Sequence, residues 1–262
     1  MLDAKIGYKE DKLEFNENRS EIFIRLPKPH ENTIITPTRE SDAHALTVIM
    51  NDPKVYKTLL SPPHPFLQIH AKEFIQASKK PCDDILSSHS NDELLDSNIP
   101  IDGCPVNAIR EIKEDGREIY IGQIIIQRSR CMRWMDQPDI RKQKLQENNS
   151  KPIGDPHVYH DLSMFLASSH HNRGIATAAL KALMGTWYIP RSKVKNIEAG
   201  VFNGNKGSAR VLEKSGWVLE EVFNLGGKGK TRSGELIETI ESYYWRAARP
   251  SGTAIEVTVH NV

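Results

Sequence analysis

Cysteine is scarce. Cys82, Cys104 and Cys131 are the three in 262 residues, with no C-x-x-C pair among them. That leaves no disulfide framework and no thiolate set for a structural zinc, and it fits a reducing compartment. No apolar run approaches membrane length, and the amino end carries no apolar leader core. A soluble, cytoplasmic chain without a membrane partner is expected. Charge of one sign is also missing: 35 basic residues face 34 acidic ones, for a net charge of +1. Neither a nucleic-acid footprint nor an acidic tail is indicated. There is no G-x-x-x-x-G-K-[ST] and no G-x-G-x-x-G followed by an acidic partner, which removes the common nucleotide-triphosphate and dinucleotide loops. No internal repeat is found.

What the chain does have is concentrated between residues 160 and 217. Asp161-Leu162-Ser163-Met164-Phe165-Leu166-Ala167 reads as a strand. After the short loop His170-His171-Asn172-Arg173-Gly174, the apolar residues Ile175, Ala179, Leu183 and Trp187 recur every four positions, as on a helix. Pro190 is expected to stop that helix, with Ile189 driven toward an extended conformation. A loop so placed aims unpaired N–H groups outward at a helix N-terminus and favours an anion. Gly174 lets a ligand approach the backbone, Arg173 adds a positive charge, and a pyrophosphate is the natural guest. An ordinary strand–helix turn with a solvated arginine is the alternative. A second strand, Lys195 to Phe202, leads to Asn203 and Asn205, which offer turn and N-cap chemistry. A short helix comes next, with Ala209 and Leu212 on one face. Gly216 fits the left-handed C′ position, and Trp217 packs back on Leu212.

This pair of segments resembles the GNAT superfamily of acyltransferases, in particular its ribosomal-protein-acetylating branch, with the closest look to fungal members. Other stretches agree with the resemblance: Ile35-Thr36-Pro37-Thr38-Arg39 then Asp42, Met50 to Tyr56, Pro62 to Phe66, Gly122-Gln123-Ile124, and Trp187 to Arg191. The resemblance implies an α+β fold, a central twisted and mostly antiparallel sheet flanked by helices, with a V-shaped splay between its two central strands. It implies acetyl-CoA as co-substrate. Arg173, Gly174, Ile175, Ala176 and Thr177 would wrap the pyrophosphate. His171 stands where the family usually has Gln or Arg. Phe165 and Leu166 would line the cofactor, and Asn205 and Ser208 would lie near the pantetheine arm and thiol. Many members protonate the leaving thiolate with a tyrosine; here that position is Leu212, with Tyr243 or Tyr244 as conceivable substitutes.

The rest of the chain reads as one domain, residues 1–262. The first residues are polar and loosely held, and Glu21 to Leu26 is an extra strand. A helix starts near Glu40, and another runs from Phe66 to Ser78. Residues 79–104 read as a polar surface insertion unable to form a core. Val106 to Ile112 and Glu118 to Gln127 are strands joined at Asp115-Gly116. Residues 136–155 read as a second solvated insertion or a short polar helix. Val218 to Val222 and Leu236 to Trp245 are strands that pair across the basic Gly226 to Arg232 turn, which sits on the acceptor side. The C-terminal extension, 247–262, alternates from Ala254 to Val259 like a strand seeking an exposed edge.

Acetyl transfer to an amine needs a neutral amine, a polarised carbonyl and close placement. A backbone N–H of Met164 to Leu166 supplies the polarisation. Asp161 is the first candidate base, with His160 and His157 as alternatives and a strand-end cap as the structural reading. Four histidines, His157, His160, His170 and His171, lack the spacing and the acidic or thiolate partners of a metal site, so no metal is expected. The expected function is acetyl-CoA-dependent N-acetylation of a small-molecule or peptide primary amine by direct attack in a ternary complex, in a monomer or homodimer. A non-catalytic acyl-CoA-binding or interaction module on the same fold is the alternative.

Overall fold

The computed structural model describes residues 13–59, 62–96, 98–131, 134, 137–202, 204–231, 233–247 and 256–261. Asn203, Arg232, Asp136, Ala254, Ile255 and the first twelve residues, on which some of the sequence expectations fall, lie outside them. Ten strands form one sheet: β1 (Leu13–Asn16), β2 (Glu21–Arg25), β3 (Thr33–Thr36), β4 (Ala108–Ile112), β5 (Glu118–Arg128), β6 (Tyr159–Leu166), β7 (Asn196–Phe202), β8 (Val218–Lys230), β9 (Leu236–Arg246) and β10 (Thr258–Asn261). Their order across the sheet is β1-β2-β3-β4-β5-β6-β7-β9-β8-β10. Every pairing is antiparallel except β6 with β7 and β8 with β10. Parallel neighbours need a crossover, and the link between β6 and β7 is the helix that opens on Gly174.

Two apolar clusters cover the sheet. α1 (Ala43–Met50), α2 (Pro53–Tyr56) and the first half of α3 (Gln68–Ser88) bury Leu46, Met50, Val55, Ala71 and Ile75 against Ala108 and Tyr120. The other cluster gathers α6 (Ile175–Leu183) and α7 (Lys206–Lys214) against Ile121, Leu162, Leu166, Ile197 and Val201. Alternation explains the division along β6: Leu162 and Leu166 join the second cluster, while Phe165 packs with the first.

Residues 79–104 are not a coreless insertion. α3 runs on through Pro81 to Ser88, and α4 (Asn91–Leu95) comes after it. Cys82, Ile85, Leu94, Ile101 and Cys104 are all buried. A proline inside a helix costs about 3 kcal/mol by clash and a lost hydrogen bond. Ile75, Ser78, Cys82 and Ile85, spaced at three and four along one buried face, offset it. The stretch is also clasped from far along the chain. Arg191 donates to the carbonyls of Leu94 at 2.6 Å, Glu93 at 2.8 Å and Ile99 at 2.8 Å, and Trp187 Nε1 donates to Gly103 O at 2.6 Å.

Two smaller readings change, and of the two alternatives for residues 136–155 the polar helix is the one found. α6 gives way at Met184 to a π-helical turn ending at Tyr188. Ile189 is therefore helical, φ −71° and ψ −54°, not extended, and its N–H reaches Met184 O at 3.0 Å. Gly226 to Lys230 belong to β8 and are not a turn; Gly229 and Lys230 pair with Ile237 and Leu236. Residues 138–149 form the polar helix α5 (Pro138–Asn149).

Candidate active site

The two central strands are joined only at one end. The β6–β7 ladder pairs Tyr159 with Asn196, His160 with Ile197 and Asp161 with Glu198. Beyond it β6 continues to Leu166 and β7 to Phe202, so the strands part in a V. The donors lining this opening are fixed by alternation. Ala167 N–H bonds to Ile121 O of β5 at 2.7 Å. The Phe165 N–H therefore also faces β5, and the N–H groups of Leu166 and Met164 turn the other way, into the V.

At the mouth of the V the chain crosses to α6. Asn172 has φ +60° and Gly174 has φ +81°, two left-handed residues that fold the loop into a concave nest of N–H groups. The first intrahelical bond of α6 runs from Ala178 N–H to Gly174 O at 3.0 Å. The N–H groups of Gly174, Ile175, Ala176 and Thr177 consequently have no intrahelical partner and no acceptor among the described residues, at the positive end of the helix dipole. A diphosphate fits this donor set. Arg173 stands beside it, with its side chain about half exposed at 47%.

His171 has a different task from the one its place suggests. Its Nε2 lies 2.8 Å from Leu166 O, and its N–H donates to Ser168 O at 3.2 Å. The ring thus fastens the end of β6 to the loop. Ser168 in turn donates its hydroxyl to Asp52, the N-cap of α2. That bond, with the N–H of Lys54, holds the Asp52 carboxyl below its usual range.

Glu111, at the end of β4, is the charge centre behind the loop. Lys113 bonds to it, His170 Nε2 lies at 3.3 Å and Arg173 at 3.5 Å. The Lys113 hydrogen bond, aided by His170, lowers its carboxyl to about 2 against the effect of burial. No motif in the sequence marks this cluster, because β4 and the loop lie some sixty residues apart.

On the far side of the V, α7 is capped as expected. Asn205 Oδ1 accepts Ser208 N–H at 3.2 Å. Gly216, φ +78°, donates to Glu213 O at 3.0 Å, and Trp217 N–H donates to Leu212 O at 3.0 Å, the two bonds of a Schellman end. Leu212 is buried in the core. Neither tyrosine offers an idle hydroxyl: Tyr243 donates to Glu241 at 3.1 Å and Tyr244 to Glu221 at 2.7 Å. Burial, reinforced by Glu241, pushes the Tyr243 phenol up to about 12.

Asp161 sits at the closed end of the V, three residues and about 10 Å along the strand from Met164. Its Oδ2 accepts Arg130 N–H at 2.7 Å, with Arg130 Nε at 3.7 Å. Its register partner Glu198, absent from the sequence-based candidates, presents a second carboxylate on the same face and accepts the Ser242 hydroxyl at 3.1 Å. Only the strand register reveals that pair. His160 points into the core on the opposite face, where burial lowers its pKa and favours the neutral ring. His157 lies in the turn before β6. Lys57 at the end of α2 reaches Glu235 of the β8–β9 turn at 3.2 Å.

The family model for the acetyltransferase (GNAT) domain matches residues 32–218. The chain belongs to the GNAT acetyltransferase family. Solved structures share the fold at low identity. A GNAT-family acetyltransferase from Bacillus anthracis is 16% identical with a TM-score of 0.55, covering 87% of this chain and 99% of its own. RimL, the ribosomal L7/L12 alpha-N-protein acetyltransferase solved with coenzyme A, is 12% identical with a TM-score of 0.56, over 86% of this chain and 97% of its own. Mycobacterium smegmatis RimJ, solved with a CoA-disulfide, is 17% identical with a TM-score of 0.52, over 91% and 88%. No curated protein sequence matches the chain. Among the described residues no helix is long and apolar enough to cross a membrane.

Proposed function

We propose that the protein is an acetyl-CoA-dependent N-acetyltransferase acting on a primary amine of a small molecule or peptide, by direct attack in a ternary complex. The observation that carries this is the V between β6 and β7, opening beside four unpaired N–H groups at the start of α6. The thioester supplies the acetyl group. The main chain from Gly174 to Thr177 holds the diphosphate, with Arg173 beside it, and Phe165 and Leu166 line the arm. Asn205 and Ser208 flank its far end. An N–H of Met164 or Leu166 polarises the carbonyl, a fixed donor in a site shaped before reaction. Asp161 draws the proton from the incoming ammonium through solvent in the V, with Glu198 adding negative charge beside it.

A second reading, an acyl-CoA-binding module without turnover, draws support from the buried Leu212 and from the engaged hydroxyls of Tyr243 and Tyr244. Free thiol released from acetyl-CoA in the presence of an amine panel, with products weighed by mass spectrometry, separates the two. Turnover with any amine supports the enzyme; CoA binding without thiol release across the panel favours the module. Once an acceptor is found, Asp161→Asn should lower kcat/KM most below that amine's own pKa, with partial recovery at higher pH. A profile that overlays the parent removes Asp161 from the proton path.

A further inference from the structure

The N-terminal strands β1 and β2 precede the matched family segment, which begins at residue 32. Their addition has a local consequence at the loop. The β2–β3 turn is held by His30 N–H to Pro27 O at 2.9 Å and by Thr33 N–H to His30 O at 2.8 Å. It carries the half-buried His30 to the start of α6. A methyl group on Gly174 would stand 3.4 Å from His30 Nε2. The imidazole is thus a direct neighbour of the residue that opens the donor nest.

The other cations near the loop are already shared. Lys113, His170 and Arg173 all converge on the one carboxylate of Glu111. Lys28 and Glu31, on the same turn as His30, pair with each other at 4.0 Å. The His30 side chain has no hydrogen-bond partner among the described residues. Its ring is placed by two main-chain bonds of the turn, with Nε2 toward the residue that opens the nest.

Resting on the cofactor reading above, we propose that His30 is a further contact of the acyl-CoA diphosphate, donating from Nε2 and completing the donors of Gly174 to Thr177. A hydrogen bond to a phosphate oxygen is charge-assisted and so stronger than a neutral one.

The test is calorimetric titration with coenzyme A of the parent, His30→Ala, His30→Gln and Gly174→Glu, with melting temperatures recorded for each. The expected result is about ten-fold weaker binding for His30→Ala, a value in the range of one charged hydrogen bond. His30→Gln, whose amide can donate, should recover part of it. In parallel, the imidazole nitrogen resonances of the parent should show the His30 Nε2 signal moving on addition of coenzyme A. If the parent does not bind coenzyme A, the cofactor reading itself fails. If it binds, Gly174→Glu does not, and a folded His30→Ala binds within two-fold of the parent, only the His30 inference is overturned. Should His30→Ala not fold, an Nε2 signal unmoved by saturating coenzyme A overturns the inference by itself.

Discussion

Replacing Gly174 by alanine separates backbone conformation from contact at the centre of the site. Gly174 sits at φ +81°, ψ −6° as the residue before α6, where an L-residue pays about 1–2 kcal/mol. The added methyl meets His30 Nε2 at 3.4 Å, an ordinary van der Waals distance, so crowding adds little. Gly174→Ala should therefore lose about 1–2 kcal/mol, or roughly 2–8 °C in melting temperature for a chain of this size. Asparagine tolerates the left-handed region better. Gly174→Asn should lose less than alanine despite its greater bulk. Both are measured by thermal and urea unfolding. Alanine costing nothing, or asparagine costing more than alanine, refutes the conformational argument. Gly174→Glu places a carboxylate in the nest and should abolish coenzyme A binding; unchanged affinity by calorimetry would sink the phosphate site.

Asn205→Ala removes the cap on Ser208 N–H and should cost about 1 kcal/mol of stability, while turnover at saturating acetyl-CoA falls further than that loss explains; a lower melting temperature with full kcat leaves Asn205 as a cap alone. Leu94→Ala should cost about 2–5 kcal/mol, because Leu94 is 1% exposed in the main core; a loss under about 1 kcal/mol in urea unfolding would restore residues 79–104 to the surface. The Glu111 carboxyl, at about 2 in the fold and about 4.3 in an unfolded chain, is a depressed acid. Its contribution is present above the unfolded value and disappears as pH falls toward 2. With Lys113 nearly half exposed, that contribution is about 1–2 kcal/mol, so Glu111→Gln should flatten the loss of stability between about pH 5 and pH 3; an unchanged slope refutes it.

The parts of the fold legible in the sequence are those whose physics is local. The α6 stripe, the Asn205 cap and the Gly216–Trp217 ending each lie within a dozen residues, and the Asp115–Gly116 hairpin is a two-residue signal. The V could be expected only by resemblance, since it depends on where the β6–β7 ladder stops. The features that failed to show depend on distant partners. Lys79-Lys80-Pro81 looks like the end of a helix until Arg191 and Trp187, about a hundred residues on, clasp the stretch from Glu93 to Gly103. At the site, Glu111, Glu198 and His30 carry no motif. Under the proposed function each takes its part because register or a turn sets it beside a loop or strand read from elsewhere. His171 shows the converse: its place in the motif was plain, but its ring is spent on Leu166 O.

The last strand has a bearing on how the protein behaves when shortened. β10 is four residues long and lies along Glu221 to Asn224 of β8, a strand of thirteen residues. Short edge strands blunt the tendency of sheets to join edge to edge. A chain cut at residue 247 keeps every element of the V and the nest but bares the flank of one of its longest strands. Such a truncation should bind cofactor at low concentration yet self-associate as it is concentrated. The tail in this view is a guard on solubility, and trimming the chain for crystallisation would remove it at that cost.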